Sequence, residues 1–191
     1  MIRVKRVPEP NDFEQQVRKN GNDWIRKNPD NTNYPSYWSD FRPALAEGFE
    51  NLCGYAAMWL PPYQGHVDHF IAQKEASELV YEWNNYRYIS PTLNSAKKPG
   101  GKWLDPYEVQ DNWFELDLIT LELRLTDNIP DDILPIVEVT LERLKLRDGT
   151  AIIRQREAWY QMYQEGLPIE TLRKKAPLIA QAIERQDEKQ V

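Results

Sequence analysis

The spacing of hydrophobic residues predicts two helices in the first quarter of the chain. A short strand at residues 2–7 precedes them and ends at Pro8. The first helix, interrupted near Gly21, has apolar residues at roughly helical intervals, at Phe13, Val17, Trp24 and Ile25. The second begins near Ser39 and repeats at three and four residues, at Phe41, Leu45, Phe49 and Leu52. We therefore expect each helix to pack one apolar face inward.

The pattern changes in the middle of the chain. The runs GYAAMWL (54–60) and HVDHFIA (66–72) are rich in aromatic and β-branched residues and are bounded by Pro-Pro and Gly, which predicts two short strands joined by a loop. The last part of the segment 81–101 predicts a brief helix that stops at Pro99. Two strands and a helix therefore form a compact unit here.

The remaining chain combines one strand pattern with a long helical region. WFELDLITLELRL (113–125) alternates apolar and polar residues, as a half-buried strand or hairpin does. From Ile129 onward three amphipathic segments are separated by Asp-Gly and Gly-Leu-Pro breaks. We predict an α+β fold in one compact domain, with an N-terminal helical segment (1–50), a core (51–105) and a mainly helical C-terminal region (106–191).

Composition narrows the classes of function. The 191 residues, 41% of them hydrophobic, suffice for one core. A net charge of −6 excludes non-specific coating of nucleic acid, so polyanion binding needs a local basic cluster or a partner. The single cysteine, Cys53, excludes an intramolecular disulfide and a zinc site built from several thiolates. The sequence has neither a signal-peptide core nor an apolar run of ~20 residues, so we expect a cytoplasmic protein without a membrane span.

Polar residues suited to phosphodiester chemistry gather within an aromatic-rich window, at Asp68, His69, Asn85, Asn94 and Lys97. Hydrolysis needs a base for water and a divalent cation for the developing negative charge. His69 can be the base, since an ordinary histidine is largely neutral at cellular pH. Asp68 and Asn94 offer hard oxygen ligands for Mg²⁺ or Mn²⁺. Neighbours in a strand point to opposite faces, so Asp68 and His69 can cooperate only if the strand is bulged or ends there.

The order Asp-His, Asn and Asn-x-x-Lys resembles the signature of HNH endonucleases, in which a ββα-metal unit binds one divalent ion and cuts nucleic acid. The resemblance is closer to one branch of this family. It rests on CGY, VDHF, YEWNNYRY, TLNSAKK and DP followed by WFELD, and on the later VTLERLKLRDGTAIIRQREAW. That branch is found in bacterial anti-phage systems of the Septu type and in retron-linked versions, where the nuclease subunit works beside an ABC-type ATPase. The resemblance covers roughly residues 1–160.

The resemblance implies a role for each residue that matches the signature. His69 is implied as the general base, and Asp68 and Asn94 as the ligands of one Mg²⁺ or Mn²⁺ ion. Asn85 falls where the middle asparagine braces the loop and orients the histidine. Lys97 is implied to face a phosphate.

One feature of the branch is missing. Many members have two Cys-x-x-Cys pairs that bind a structural zinc, whereas here only Cys53 remains and the other three positions hold Ala56, Ser90 and Leu93. We therefore expect an HNH core without structural zinc, surrounded by N- and C-terminal helices.

Several assignments have alternatives. His69 taken alone is more often a buried, hydrogen-bonded histidine, and it is the downstream asparagines and lysine that favour catalysis. His66 is either a surface residue or a phosphate contact. Lys97, Lys98 and Lys102 form either a solvated loop or a local cation cluster for a nucleic-acid backbone. The leading hypothesis is a metal-dependent endonuclease of anti-phage defence that cuts DNA or RNA, with DNA favoured, and acts with an ATPase partner. Its rivals are a catalytically silent HNH scaffold and a nucleic-acid-binding module without hydrolysis.

Overall fold

The computed structural model of the chain describes residues 1–61 and 63–188. Within these ranges the fold is α+β, with seven α-helices and two antiparallel two-stranded sheets. Two compact units are present. The central unit comprises Lys5–Asn51 and Leu60–Gly101, and the C-terminal unit comprises Met1–Val4, Leu52–Trp59 and Lys102–Val191. These boundaries differ from the predicted segments 1–50, 51–105 and 106–191, because both units combine pieces that are distant in sequence.

The central unit contains three α-helices and one sheet. In chain order its elements are a π-helical segment (Glu14–Lys19), α1 (Asn20–Lys27), a 3₁₀ turn (Tyr37–Phe41), α2 (Arg42–Gly48), β1 (His66–His69), two further 3₁₀ turns (Ser77–Leu79 and Trp83–Asn85), β2 (Tyr86–Ile89) and α3 (Pro91–Ala96). β1 and β2 are antiparallel, with His66 opposite Ile89 and His69 opposite Tyr86. All four residues of β2 are buried.

Both predicted N-terminal helices are present, but the second ends at Gly48, before Phe49 and Leu52, and the first differs at Gly21. The first helix runs through this glycine, which lies in α1, instead of being interrupted there. A Cβ atom at this position would lie 2.2 Å from ring atoms of Tyr81. Gly21 therefore serves a close approach between the helix and an aromatic ring, which only a residue without a side chain allows.

Of the strands predicted at residues 2–7, 54–60 and 66–72, only the last is present. Residues 2–7 are irregular, and in place of a strand at 54–60 there is a turn with one bridge between Leu52 and Trp59. The strand predicted at 66–72 is β1, which ends at His69. The predicted brief helix is α3, where Ser90 caps the first turn by accepting a hydrogen bond from the Leu93 amide.

The C-terminal unit has the predicted hairpin followed by helices. β3 (Phe114–Leu116) pairs with β4 (Leu123–Leu125). The helices are α4 (Leu134–Arg143), α5 (Thr150–Gln164), α6 (Ile169–Lys175) and α7 (Pro177–Glu188). The last predicted helical segment is thus divided at Pro177, which begins a new helix. Every helix in the described part of the chain is too short or too polar to cross a lipid bilayer.

Candidate functional site

The predicted site residues of β1 lie on opposite faces of the strand. Side chains alternate along a strand, so His66 and Asp68 share one face and His69 points to the other. Helix α3 covers the first face. The amide nitrogen of Asn94 lies 3.3 Å from Nδ1 of His66, and Nζ of Lys97 lies 2.7 Å from Oδ2 of Asp68. We call these four residues, His66, Asp68, Asn94 and Lys97, the strand–helix cluster.

The ammonium of Lys97 is enclosed by oxygen atoms. Besides the Asp68 carboxylate, it donates hydrogen bonds to the backbone carbonyls of His69 and Phe70, each at 3.1 Å. The side chains of Lys97 and Asp68 are only 4% and 7% exposed. Three donors therefore meet three acceptors, as a buried ammonium requires. This differs from the prediction that Lys97 faces a phosphate, because the buried Asp68 carboxylate draws the lysine inward.

His69 lies in an aromatic enclosure on the opposite face. Its ring packs edge-on against Trp38 and Tyr86, with ring centroids 4.6 and 5.0 Å away. Its Nε2 lies 2.9 Å from the carbonyl oxygen of Val80. A carbonyl only accepts hydrogen bonds, so Nε2 carries the hydrogen and Nδ1 carries the lone pair. The side-chain amide of Gln73 lies 3.5 Å from that Nδ1.

The protonation state of His69 follows from this enclosure. Burial lowers the pKa of His69 from 6.5 to about 4, and the nearby positive charge of Lys97 acts in the same direction. The hydrogen bond to Val80 opposes these effects but is weaker than the effect of burial. The imidazole is therefore neutral at pH 7, with its Nδ1 able to accept a proton.

Asn85 holds the loop that carries the hydrogen-bond partner of His69. Its side-chain oxygen accepts from the Ile71 amide at 2.8 Å, and its side-chain nitrogen donates to the carbonyls of Ile71 and Leu79, each at 3.0 Å. Leu79 directly precedes Val80, whose carbonyl accepts from His69. The resemblance implies a loop-bracing role for Asn85, which stays a prediction. The neighbouring Asn84, in contrast, is exposed.

The predicted site residues therefore form two groups. The strand–helix cluster lies on one face of β1, and His69 and Asn85 lie with the loop on the other. The end of β1 at His69 joins them, because the carbonyls of His69 and Phe70 bind the Lys97 ammonium. The two remaining lysines, Lys98 and Lys102, are exposed, and Lys102 belongs to the C-terminal unit.

Sequence reasoning missed three side chains of this region. Trp38 and Gln73 contact His69, and Arg42 lines a shallow groove of about 180 Å³ beside β1. The other lining residues of that groove are Trp38, Ser39, His66 and Val67. Nε of Arg42 is buried without a hydrogen-bond acceptor in the described chain. None of the three belongs to a motif, so no sequence signal could have identified them.

The donor set for a metal is small. Among residues 1–61 and 63–188, no three histidine, cysteine, aspartate or glutamate side chains lie together as a metal site. The oxygen donors at the strand–helix cluster are the Asp68 carboxylate, the Asn94 amide and the two backbone carbonyls that face Lys97. These are hard ligands of the kind that Mg²⁺ and Mn²⁺ take, and the carboxylate and the two carbonyls already surround the Lys97 ammonium.

The four positions that correspond to zinc-binding cysteines in the resembled branch have local packing roles. In the C-terminal unit Cys53 is buried, and its Sγ accepts a hydrogen bond from the Ala56 amide at 3.5 Å. In the central unit Ser90 caps α3, and Leu93 is buried.

No family model, curated protein or solved structure matches the chain. The resemblance to HNH endonucleases therefore rests on the quoted motifs, and the implied roles stay predictions. What the chain itself provides is a neutral histidine at the end of β1, next to a buried carboxylate that faces α3.

Proposed function

We propose that the chain is a metal-dependent HNH-type endonuclease that hydrolyses phosphodiester bonds, in DNA rather than RNA. Its ββα-metal core would be β1, β2 and α3. One observation carries the proposal: β1, β2 and α3 follow one another in the chain, α3 covers the Asp68 face of β1, and the neutral His69 ends that strand.

Asp68 and Asn94 would hold the divalent ion. Their oxygens fit Mg²⁺ or Mn²⁺ in donor chemistry, and the Lys97 ammonium beside Asp68 supports the view that this position suits a cation. When bound, the ion would stabilise the negative charge that develops on the phosphate and on the leaving oxygen. Water and the phosphate itself would complete its coordination.

His69 would take a proton from the attacking water through Nδ1. The bond from Nε2 to Val80 fixes the tautomer and the ring orientation, and Trp38 and Tyr86 restrict the ring further. Asn85 acts through the loop and is a positioning residue. Gln73 has to give up its weak 3.5 Å contact before water can reach Nδ1.

The substrate would enter along the groove beside β1. Arg42 and the exposed His66 line it, and a guanidinium pairs well with two phosphate oxygens. The central unit has 11 lysines and arginines against 12 aspartates and glutamates, a net charge of −1, and the C-terminal unit has 13 against 18, a net charge of −5. Because neither unit has a basic surplus, we propose that an ABC-type ATPase partner provides nucleic-acid affinity.

The biological setting follows from the resemblance alone. We propose that the chain is the effector nuclease of a bacterial anti-phage system of the Septu or retron-linked type and acts in the cytoplasm. The ATPase would bring the nuclease to its substrate or license cleavage.

A second candidate, without hydrolysis, is favoured by the same ion pair. Lys97 neutralises Asp68, and His69 is enclosed by aromatic rings, as expected for residues that only stabilise a scaffold or a nucleic-acid-binding module. Such a protein would bind nucleic acid in a salt-sensitive manner that a chelator does not change.

The deciding experiment incubates plasmid DNA and RNA with the purified chain, alone and with the ATPase encoded beside it, in Mg²⁺ or Mn²⁺. We expect cleavage of DNA by the wild type and by Asn84→Ala, which alters an exposed neighbour of Asn85, and no cleavage by His69→Ala. Identical products from the wild type and His69→Ala would refute the catalytic assignment. Chelator-insensitive binding without cleavage by any variant would instead support the second candidate.

A further inference from the structure

We propose that Lys97 is a built-in competitor of the divalent ion: its ammonium holds Asp68 until the ion replaces it. This inference rests on the proposed metal site and concerns how that site is regulated. It also gives Lys97 two positions, one on Asp68 before exchange and one toward the substrate after it.

The first argument is that the two cations compete for the Asp68 carboxylate, which Lys97 holds together with two neighbouring carbonyls. Nζ of Lys97 lies 2.7 Å from Oδ2 of Asp68 and 3.1 Å from the carbonyls of His69 and Phe70. A carboxylate with two carbonyls is also a donor set for hard divalent ions, which draw oxygens to ~2.0–2.6 Å. An ammonium and a divalent ion cannot both occupy the position between these three oxygens. Binding of the ion at Oδ2 therefore displaces the lysine.

The second argument is that Lys97 can leave without unfolding its helix. α3 ends at Ala96, and Lys97 is the residue that follows it, with extended backbone angles. The next three residues, 98–100, are exposed. A lysine side chain has four flexible carbons, so a change of rotamer alone can carry the ammonium from the enclosure to the solvent.

The consequence is a coupling between ion and substrate. Before exchange, the ammonium neutralises Asp68 and lowers the affinity of the site for a divalent ion. After exchange, the same positive charge lies outside the enclosure, next to the site, where a phosphate can accept its hydrogen bonds. The role that the sequence resemblance implies for Lys97, facing a phosphate, would then apply only to the ion-bound state.

The test measures Mn²⁺ binding to the metal-stripped full chain by titration calorimetry. Lys97→Met keeps most of the side-chain volume and removes the charge, and Lys74→Met removes an exposed lysine of the same unit as the matched control. We expect Lys97→Met to bind Mn²⁺ at least tenfold more tightly than the wild type, which corresponds to about 1.4 kcal/mol. Lys74→Met should bind like the wild type, and adding Asp68→Asn to Lys97→Met should abolish the gain.

An unchanged affinity in Lys97→Met overturns the proposal, as does a gain that survives Asp68→Asn. Cleavage of DNA by the wild type is a separate readout. If the wild type cuts DNA but Lys97→Met binds Mn²⁺ no more tightly than the wild type, the proposed competition is refuted and the proposed nuclease function is not.

A second measurement uses the wild type, so that it does not depend on the folding of a variant. Reductive methylation followed by peptide mass spectrometry reports how accessible each lysine is. We expect Lys97 to be protected in EDTA and to react at least fivefold faster in saturating Mn²⁺, with Lys74 reacting equally in both. Protection of Lys97 that persists in saturating Mn²⁺ contradicts the exchange.

Discussion

The adjacent pair Asn84 and Asn85 provides a sharp test of the brace behind His69. Asn85 is 6% exposed and makes three side-chain hydrogen bonds to backbone groups of Ile71 and Leu79, whereas Asn84 is exposed. Asn85→Ala leaves those three backbone groups without their partner, at a cost of about 1 kcal/mol each, or about 3 kcal/mol in total. For a chain of this size this corresponds to a decrease in Tm of roughly 6–12 °C.

Thermal unfolding followed by circular dichroism measures the difference between the two variants. Asn84→Ala should unfold within about 1 °C of the wild type, since substitutions at exposed positions change stability little. Hydrogen exchange adds a local readout, because the Ile71 amide should exchange faster in Asn85→Ala while the Leu123 amide of the C-terminal unit keeps its rate at temperatures where the variant is folded. Equal Tm values for the two variants, or an unchanged Ile71 amide, would refute the reasoning.

¹⁵N spectra of the histidine rings then separate positioning from stability. We expect His69 to be a single Nε2–H tautomer in the wild type, because the Val80 carbonyl accepts from that nitrogen. In folded Asn85→Ala the loop that carries this carbonyl is released, so both tautomers should be populated. A His69 signal identical to that of the wild type would mean that Asn85 supports the fold alone.

Three further predictions concern single side chains. The pKa of His69 is 6.5 in the unfolded chain and about 4 in the folded chain, so its contribution to stability is present above pH 6.5 and decreases as the pH falls toward 4. In denaturant melts in EDTA, the free energy of unfolding of the wild type should decrease over this range by about 3 kcal/mol more than that of His69→Gln. Arg42→Gln should weaken DNA binding in EDTA and reduce the slope of log K against log salt by about one, while Arg26→Gln, an exposed arginine paired with Asp23, should not. Arg156→Met should destabilise the chain by about 2–3 kcal/mol in urea melts, because the buried guanidinium donates to three backbone carbonyls.

Hydrophobic spacing predicted the helices and the 113–125 hairpin because each has one buried and one exposed face. It missed β2, whose four residues are all buried and therefore show no alternation. It predicted a strand at 54–60, where the apolar run is instead a buried turn: Ala57 has φ 53°, its amide donates to the Cys53 carbonyl, and the Cys53 amide donates to the Met58 carbonyl. Apolar runs of this length give no sign of whether the backbone is extended or folded back.

The sequence predicted which residue types lie in the candidate site but not which of their side chains contact each other. Strand alternation correctly placed Asp68 and His69 on opposite faces, since Asp68 meets Lys97 while His69 meets Trp38. The inward position of Lys97 depends on α3 packing against β1, a tertiary contact across 29 residues that no local pattern specifies. A lysine followed by Lys-Pro-Gly-Gly has the appearance of a solvated loop, and only the burial of Asp68 changes that interpretation.

The buried Asp68–Lys97 pair bears on the choice between enzyme and scaffold. Burying two charges costs desolvation free energy that their attraction often fails to recover, so apolar side chains of similar volume would stabilise the same strand and helix at least as well. The burial of His69 likewise lowers stability at acidic pH, as its depressed pKa requires. Both features are compatible with a scaffold, but stability alone does not require them, whereas the proposed site, which exchanges one cation for another near a neutral base, would use all three groups.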